Sequence, residues 1–104
     1  MTKLKWGDST YEVRELNAKE YIGIDRIIRD VKKIKADEPL NMDGGEFTLG
    51  LIVACTKKDG RPLKWAHVEK MPAKLFQAIS NMATKLNTLM PKEEEAFFFE
   101  SSTA

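Results

Sequence analysis

The chain contains few of the residues that carry out catalysis or bind metals. Its 104 residues include a single cysteine, Cys55, and a single histidine, His67. One thiol cannot form a disulfide within the chain, and a metal site needs several converging ligands. Cys55 lies in an apolar segment, where a thiol behaves as a small buried hydrophobe, and His67 has no partner at catalytic spacing. The sequence therefore predicts no enzyme, with no catalytic residue, cofactor, metal site or small-molecule substrate.

Long apolar runs are missing as well. No stretch approaches the roughly 20 residues that a membrane helix requires, and residues 1–6 do not resemble the apolar part of a signal peptide. A hydrophobic content of 42% in a chain of this length is sufficient for one small core. We therefore expect a single domain in the cytoplasm that makes no contact with a membrane.

Neither positive nor negative charge is in large excess, but the charged residues are unevenly distributed along the chain. The formal net charge is +1. Four glutamates and one lysine follow Met90, so residues 1–90 carry 16 basic and 12 acidic side chains. This excess is small for a nucleic-acid-binding domain, and the bases between Lys57 and Lys64 are interpreted as a solvated face. A nucleic-acid-associated regulator that uses the basic end of a helix over residues 18–36 remains an alternative.

The N-terminal part predicts a hairpin followed by a helix. Residues 4–16 alternate apolar and polar side chains on both sides of the turn-forming segment 7–10, which is typical of strands with one buried face. Asn17 and Glu20 then have the spacing of a capping box, which marks the beginning of a helix. Apolar residues recur every three or four positions up to Ile34, and this pattern predicts one helix over residues 18–36.

The middle of the chain is less decisive. Pro39 and the pair Gly44-Gly45 interrupt regular structure, so residues 36–45 are predicted to be a linker. The apolar segment 47–55 suits a buried strand or a buried helix, because its β-branched residues favour a strand and its length favours a helix. Periodicity alone does not decide between the two.

The remaining segments predict a turn and a final amphipathic helix. Residues 57–62 are rich in turn formers. A short helical turn follows, and Pro72 is placed at the first position of a helix that ends near Asn87. Together these patterns predict a mainly α fold, with about three main helices and a short N-terminal β-hairpin in one domain, residues 1–90.

The order of these elements resembles that in the tail assembly chaperones of long-tailed bacteriophages. The apolar segment 49–56 leads to a turn ending in DGRPL, residues 59–63, and HVEKMP, residues 67–72, precedes the last helix. The sequence VRELNAKE, residues 13–20, is also similar to the family's beginning of the first helix. The resemblance implies that residues 47–56 form a helix.

The resemblance also implies a function. Such chaperones are small, helical and non-enzymatic, and they bind the tape measure protein and keep it soluble while the tail tube assembles. They form homo-oligomers in the cytoplasm of the bacterial host and are absent from the mature virion. In many relatives a ribosomal frameshift near the end of the gene yields a longer form that recruits the tail tube protein. A structural virion protein, such as a head–tail connector, remains a second alternative.

The last segment, PKEEEAFFFESSTA, has the composition of a disordered acidic tail over residues 91–104. Its three phenylalanines are unexpected there, and the candidate partner-binding residues are Phe97, Phe98, Phe99 and Met90. As a short linear motif they would dock into an apolar groove of a partner. Alternatively, their uracil-rich codons mark a frameshift site in the message, or the run is a cloning remnant or a chance feature.

Overall fold

The structure, a computed structural model, describes residues 2–41 and 43–89 and combines an antiparallel sheet with helices. The strands lie in the sheet in chain order: β1 (Thr2–Trp6), β2 (Ser9–Val13), β3 (Thr56–Lys58) and β4 (Arg61–Pro62). The helices in the same part of the chain are α1 (Ala18–Ile22), α2 (Ile24–Lys32), α3 (Gly44–Cys55), α4 (Trp65–Lys70) and α5 (Ala73–Asn87). The protein is therefore a mixed α/β domain.

The predicted fold class, a mainly α domain with about three main helices, is wrong because the sheet extends beyond the N-terminal hairpin. Residues 57–62, predicted to be a turn, contribute to β3 and β4. β3 pairs antiparallel with β2, with Val13 opposite Thr56. Within β3 Thr56 is buried, whereas Lys57 and Lys58 are exposed, so the strand has no apolar alternation for a sequence pattern to detect. Backbone pairing with β2 makes it a strand.

Two tight turns set the register of the sheet. Gly7 follows β1 with a φ of 60°, a conformation that favours glycine. Asp59 and Gly60 join β3 to β4 with φ of 51° and 80°, and an Asp-Gly pair with both angles positive is typical of a type I′ hairpin. The Asp59 carboxylate also accepts a 2.8 Å hydrogen bond from the backbone N–H of Thr10 in β2. The hairpin is thereby fixed to the neighbouring strand.

The first helix begins as the sequence predicts. The side chain of Asn17 accepts a hydrogen bond from the backbone N–H of Glu20 at 2.8 Å, and Glu20 accepts one from the N–H of Asn17 at 3.2 Å. The predicted capping box is thus confirmed. The Arg14 guanidinium donates two hydrogen bonds to the carboxylate of Glu20, at 2.5 and 3.1 Å. The segment after β2 and the first turn of α1 are therefore held together.

The single helix predicted over residues 18–36 is divided in two. Gly23 lies between α1 and α2, and α2 ends before the predicted boundary. The guanidinium of Arg29 donates hydrogen bonds to the carbonyls of Lys35 and Glu38, at 2.7 and 2.6 Å. These bonds fold the segment after α2 back onto the helix, so the apolar periodicity continues in sequence beyond the point where the helix stops.

The centre of the hydrophobic core is α3. Leu51, Ile52 and Cys55 are at most 1% exposed, and the helix packs against α2, α4 and α5. The apolar side chains of this helix are distributed around its whole circumference, which explains why the periodicity of residues 47–55 did not distinguish a helix from a strand. The helical alternative is the one that the structure contains.

Helices α2 and α3 approach closely at a glycine. A Cβ atom at Gly50 would lie 2.8 Å from Cγ2 of Ile24 and 3.1 Å from Cγ1 of Ile28, closer than side chains normally pack. The other buried apolar side chains of the core are Tyr11, Val13, Leu63, Val68, Leu75, Ile79 and Ala83. They come from β2, the segment after β4, α4 and α5, so the sheet and the helices share one core.

Candidate interaction surfaces

The helix α4 separates two open grooves on the surface of the domain. The acidic groove, of about 530 Å³ between α3, α4 and α5, is lined mainly by Asp43, Glu46, Leu49, Val68, Glu69, Met71 and Phe76. The basic groove consists of two adjoining cavities of about 350 and 770 Å³, lined mainly by Tyr11, Lys58, Arg61, Leu63, Lys64, His67 and Lys70. Successive residues of α4 therefore face surfaces of opposite charge.

The floor of the acidic groove is apolar. Val68 is buried, and Leu49, Met71 and Phe76 are half-buried, so their apolar surface remains open to the groove. These side chains come from three elements, α3, α4 with the residue that follows it, and α5. An apolar floor between helices suits an apolar segment of a partner, in the manner of a helix that binds in a groove.

Three carboxylates lie around this floor. Asp43 caps α3 by accepting a 2.8 Å hydrogen bond from the backbone N–H of Glu46. Glu46 in turn forms a 2.8 Å ion pair with Lys32 of α2. Glu69 is exposed on α4 and forms no ion pair with a residue in the described ranges. Among the three, Glu69 is therefore the carboxylate most available to a basic group of a partner.

A further group of exposed apolar side chains lies on α1. Tyr21 packs edge-on against Phe47 of α3, with ring centroids 5.9 Å apart. Ile22, the next residue, is 72% exposed. Phe47 follows Glu46 in α3, but consecutive helix residues point in different directions, and neither Phe47 nor Tyr21 lines the acidic groove. These exposed apolar side chains are therefore a separate candidate interaction surface.

The basic groove has a buried base and an exposed rim. Tyr11 and Leu63 are buried at its base, and the ammonium group of Lys58 lies 5.9 Å from the centroid of the Tyr11 ring. The basic side chains around it are those of Lys58, Arg61, Lys64 and Lys70. None of these four forms an ion pair with a residue in the part of the chain that the structure describes. The groove thus carries positive charge that these residues leave largely unpaired.

The structure places the residues that the sequence singled out in different surroundings. Cys55 is buried in the core, and burial raises the pKa of its thiol, so the prediction of a small buried hydrophobe is confirmed. His67 is exposed on α4 and lines the basic groove. The candidate partner-binding residues Phe97, Phe98, Phe99 and Met90 lie outside the described residues.

Sequence reasoning missed both grooves because each joins segments that are far apart in the chain. The acidic groove unites the beginning of α3 with α4 and the first turn of α5. The bases between Lys57 and Lys64 were visible in the sequence, but their interpretation as a solvated face did not place Tyr11 and Leu63 beneath them. The pair Asp59-Gly60, a strong hairpin signal, was the feature that could have brought these bases next to β2.

Neither a metal centre nor a membrane helix is found in residues 2–41 and 43–89. No group of three or more His, Cys, Asp or Glu side chains in these ranges is arranged to hold a metal ion. No helix among them is long and apolar enough to cross a membrane. Comparisons of the chain with protein-family models, with curated proteins and with solved structures give no match.

Proposed function

We propose that this protein is a non-enzymatic tail assembly chaperone of a long-tailed bacteriophage. It binds the tape measure protein in the cytoplasm of the bacterial host and keeps it soluble while the tail tube assembles. It forms homo-oligomers, is not retained in the mature virion and, in a longer frameshifted form, also recruits the tail tube protein. The sequence resemblance supports this proposal, and the structural observation that carries it is the acidic groove.

One motif that carries the resemblance lines this groove, and a second one holds the helix that forms its wall. HVEKMP, residues 67–72, spans most of α4 and brings Val68, Glu69 and Met71 to the groove. DGRPL, residues 59–63, precedes α4 and anchors it, because Leu63 is buried in the core and β4 pairs with β3. HVEKMP therefore contributes side chains to the acidic groove, whereas DGRPL contributes only by holding α4 in place.

The chemistry of the groove suits an amphipathic helix with an apolar stripe and basic flanking residues. Such a helix would bury its stripe against Leu49, Met71 and Phe76, which supplies most of the affinity. A lysine or arginine beside the stripe would pair with Glu69 and orient the helix. A client held in this way has its apolar surface covered, so that surface no longer drives aggregation.

The nucleic-acid-associated regulator is less well supported by the contacts of α2. That alternative relied on the basic end of the first long helix. In the structure Arg29 pairs with Asp25 and Lys32 pairs with Glu46, each at 2.8 Å, which neutralises charge that a phosphate backbone would need. No binding to duplex or single-stranded nucleic acid at low salt would exclude it. A head–tail connector would be detected in purified particles, where a chaperone is absent.

Co-expression with the tape measure protein of the same phage or prophage tests the proposal. We expect the soluble fraction of the tape measure protein to rise when the wild-type chain is present. The variants Glu69→Lys and Phe76→Ser should lower this gain, the first by repelling basic residues of the client and the second by removing apolar contact. Glu15→Lys is the matched control for charge, because Glu15 is exposed away from the groove.

Thermal unfolding of each variant separates a binding defect from misfolding. Glu69 is exposed, so Glu69→Lys should keep the wild-type melting temperature even if Phe76→Ser does not. A wild-type chain that leaves the solubility of the tape measure protein unchanged would contradict the proposed function. An equal loss with Glu69→Lys and Glu15→Lys would contradict the assignment of the acidic groove as the binding site.

A further inference from the structure

We propose that the basic groove is a docking site for the acidic, aromatic segment of the same chain, residues 93–100. This segment has the sequence EEEAFFFE, and it lies outside the described residues. The basic groove lies on the opposite side of α4 from the acidic groove. It stands on different observations from those behind the proposed function.

Charge complementarity is the first argument. Lys58, Arg61, Lys64 and Lys70 surround the groove and form no ion pair with a residue in the ranges 2–41 and 43–89. The segment supplies four carboxylates, those of Glu93, Glu94, Glu95 and Glu100, within eight residues. The one acidic side chain of the groove, Asp59, already accepts a hydrogen bond from Thr10. Bases and carboxylates are therefore matched in number and opposite in sign.

The apolar part of the groove matches the phenylalanines. Tyr11 and Leu63 are buried at its base, and Met71 and Pro72 complete the wall of the smaller cavity. This cavity, of about 350 Å³, offers an aromatic face and aliphatic surface on which phenylalanine rings can pack. The basic groove therefore offers apolar contacts for the phenylalanines and basic side chains for the flanking glutamates of a short linear motif.

The chain is long enough to make this contact. Helix α5 begins beside the groove, where Pro72 lines the wall, and its 15 residues cover about 22 Å at a helical rise of about 1.5 Å per residue. An extended chain covers about 3.3 Å per residue, so the eight steps from Leu89 to Phe97 cover about 26 Å. A segment that turns back along α5 therefore brings Phe97 to the groove.

The acidic groove is a poor alternative for the same segment. Its carboxylates, Asp43, Glu46 and Glu69, would lie close to the three consecutive glutamates and repel them. Its apolar floor could accept the phenylalanines, but only by bringing like charges together. The choice between the grooves is thus made by the glutamates and not by the aromatic rings.

Paramagnetic relaxation in the full chain tests the docking. A nitroxide attached to a Ser102→Cys variant reports on the segment, and Cys55 remains in place because it is buried and its thiol pKa is raised. At low salt we expect the amide signals of Lys58, Leu63 and His67 to lose intensity. Those of Leu49 and Glu69, across α4, should lose less, because they lie about one helix diameter, roughly 10 Å, further from the label. Adding salt should reverse the loss, because the docking is mainly electrostatic.

Charge reversal supplies the control. The triple substitution Glu93→Lys, Glu94→Lys, Glu95→Lys should restore the signals around the basic groove, and so should Lys58→Glu combined with Lys64→Glu. Unchanged signals around the groove at low salt would overturn the proposal, as would a loss centred on Leu49 and Glu69. A loss seen only when labelled and isotope-enriched chains are mixed would show that a second copy supplies the segment, which overturns docking within one chain.

Discussion

The side-chain amide of Asn87 joins the end of α5 to Leu16, 71 positions earlier in the chain. Its Oδ1 accepts a 2.6 Å hydrogen bond from the backbone N–H of Leu16. Its Nδ2 donates to the carbonyls of Arg14 and Ala83, both at 3.1 Å. One side chain thus bonds three backbone groups, two in the segment between β2 and α1 and one in α5, and it fixes the last turn of α5 against that segment.

Replacing Asn87 by alanine should destabilise the protein. The substitution leaves the partly buried N–H of Leu16 and two carbonyls without this partner, which should cost about 1–3 kcal/mol of unfolding free energy. Chemical denaturation measures the change. Asn81→Ala is the control, since Asn81 is exposed on the same helix and should have little effect. Equal effects of the two substitutions would show that the Asn87 hydrogen bonds contribute nothing specific.

Gly50→Ala should weaken the packing of α2 on α3. The new methyl group would lie too close to the side chains of Ile24 and Ile28, which are themselves buried and have little room to move. Crowding of this kind costs about 1–3 kcal/mol, and the better helix propensity of alanine returns up to about 1 kcal/mol, so a net loss is expected.

Gly44→Ala is the matched control, because it lies in the same helix and a Cβ there meets nothing within 4 Å. We expect Gly44→Ala to leave the melting temperature unchanged or slightly raised, whereas Gly50→Ala lowers it. A melting temperature of Gly50→Ala at or above that of the wild type would contradict the close approach of the helices.

Asp59 should tolerate asparagine better than alanine. It has a positive φ and its side chain accepts the hydrogen bond from Thr10, and asparagine can retain both features. Alanine can retain only the strained backbone, so Asp59→Ala should cost about 1–2 kcal/mol. Thermal unfolding of the two variants gives the comparison, and equal melting temperatures would exclude a role of this hydrogen bond in holding the β3–β4 hairpin.

The ion pair between Glu20 and Arg14 should make stability depend on pH in a defined window. Hydrogen bonds from the Arg14 guanidinium and from the Asn17 backbone lower the pKa of Glu20 from 4.5 to about 2. Glu20 binds its proton less tightly in the folded state than in the unfolded state. The ionised carboxylate therefore stabilises the fold, and this stabilisation is fully present above pH 4.5. The contribution is lost as the pH falls toward about 2.

Comparison of the wild type with Glu20→Gln isolates this contribution. Glutamine keeps an oxygen for the capping box but carries no charge to pair with Arg14. The difference in melting temperature should be constant above pH 4.5 and should shrink below it. Glu15→Gln, an exposed neighbour, should show no such window. A difference that persists unchanged to about pH 2 would contradict the lowered pKa of Glu20.

Local signals in the sequence determined where several elements begin and end. The capping box of Asn17 and Glu20 starts α1, and the alternation of residues 4–13 matches the paired strands β1 and β2. Asn87 ends α5, as predicted, whereas α5 begins at Ala73, one residue after the predicted first position, Pro72. These features depend on a few neighbouring residues and on a regular period, so they are present in the sequence before the chain folds.

Tertiary structure decided the fold class, the identity of α3 and the shape of the grooves. β3 is a strand because its backbone pairs with β2. Its side chains, Thr56–Lys58, do not alternate between apolar and polar, so the sequence pattern does not reveal the strand. Residues 47–55 have apolar side chains on every face of the helix, so the sequence has no helical period and could not exclude a strand. The grooves exist only where packing brings distant segments to both sides of α4. Sequence specified the local elements, and long-range contacts determined how they combine.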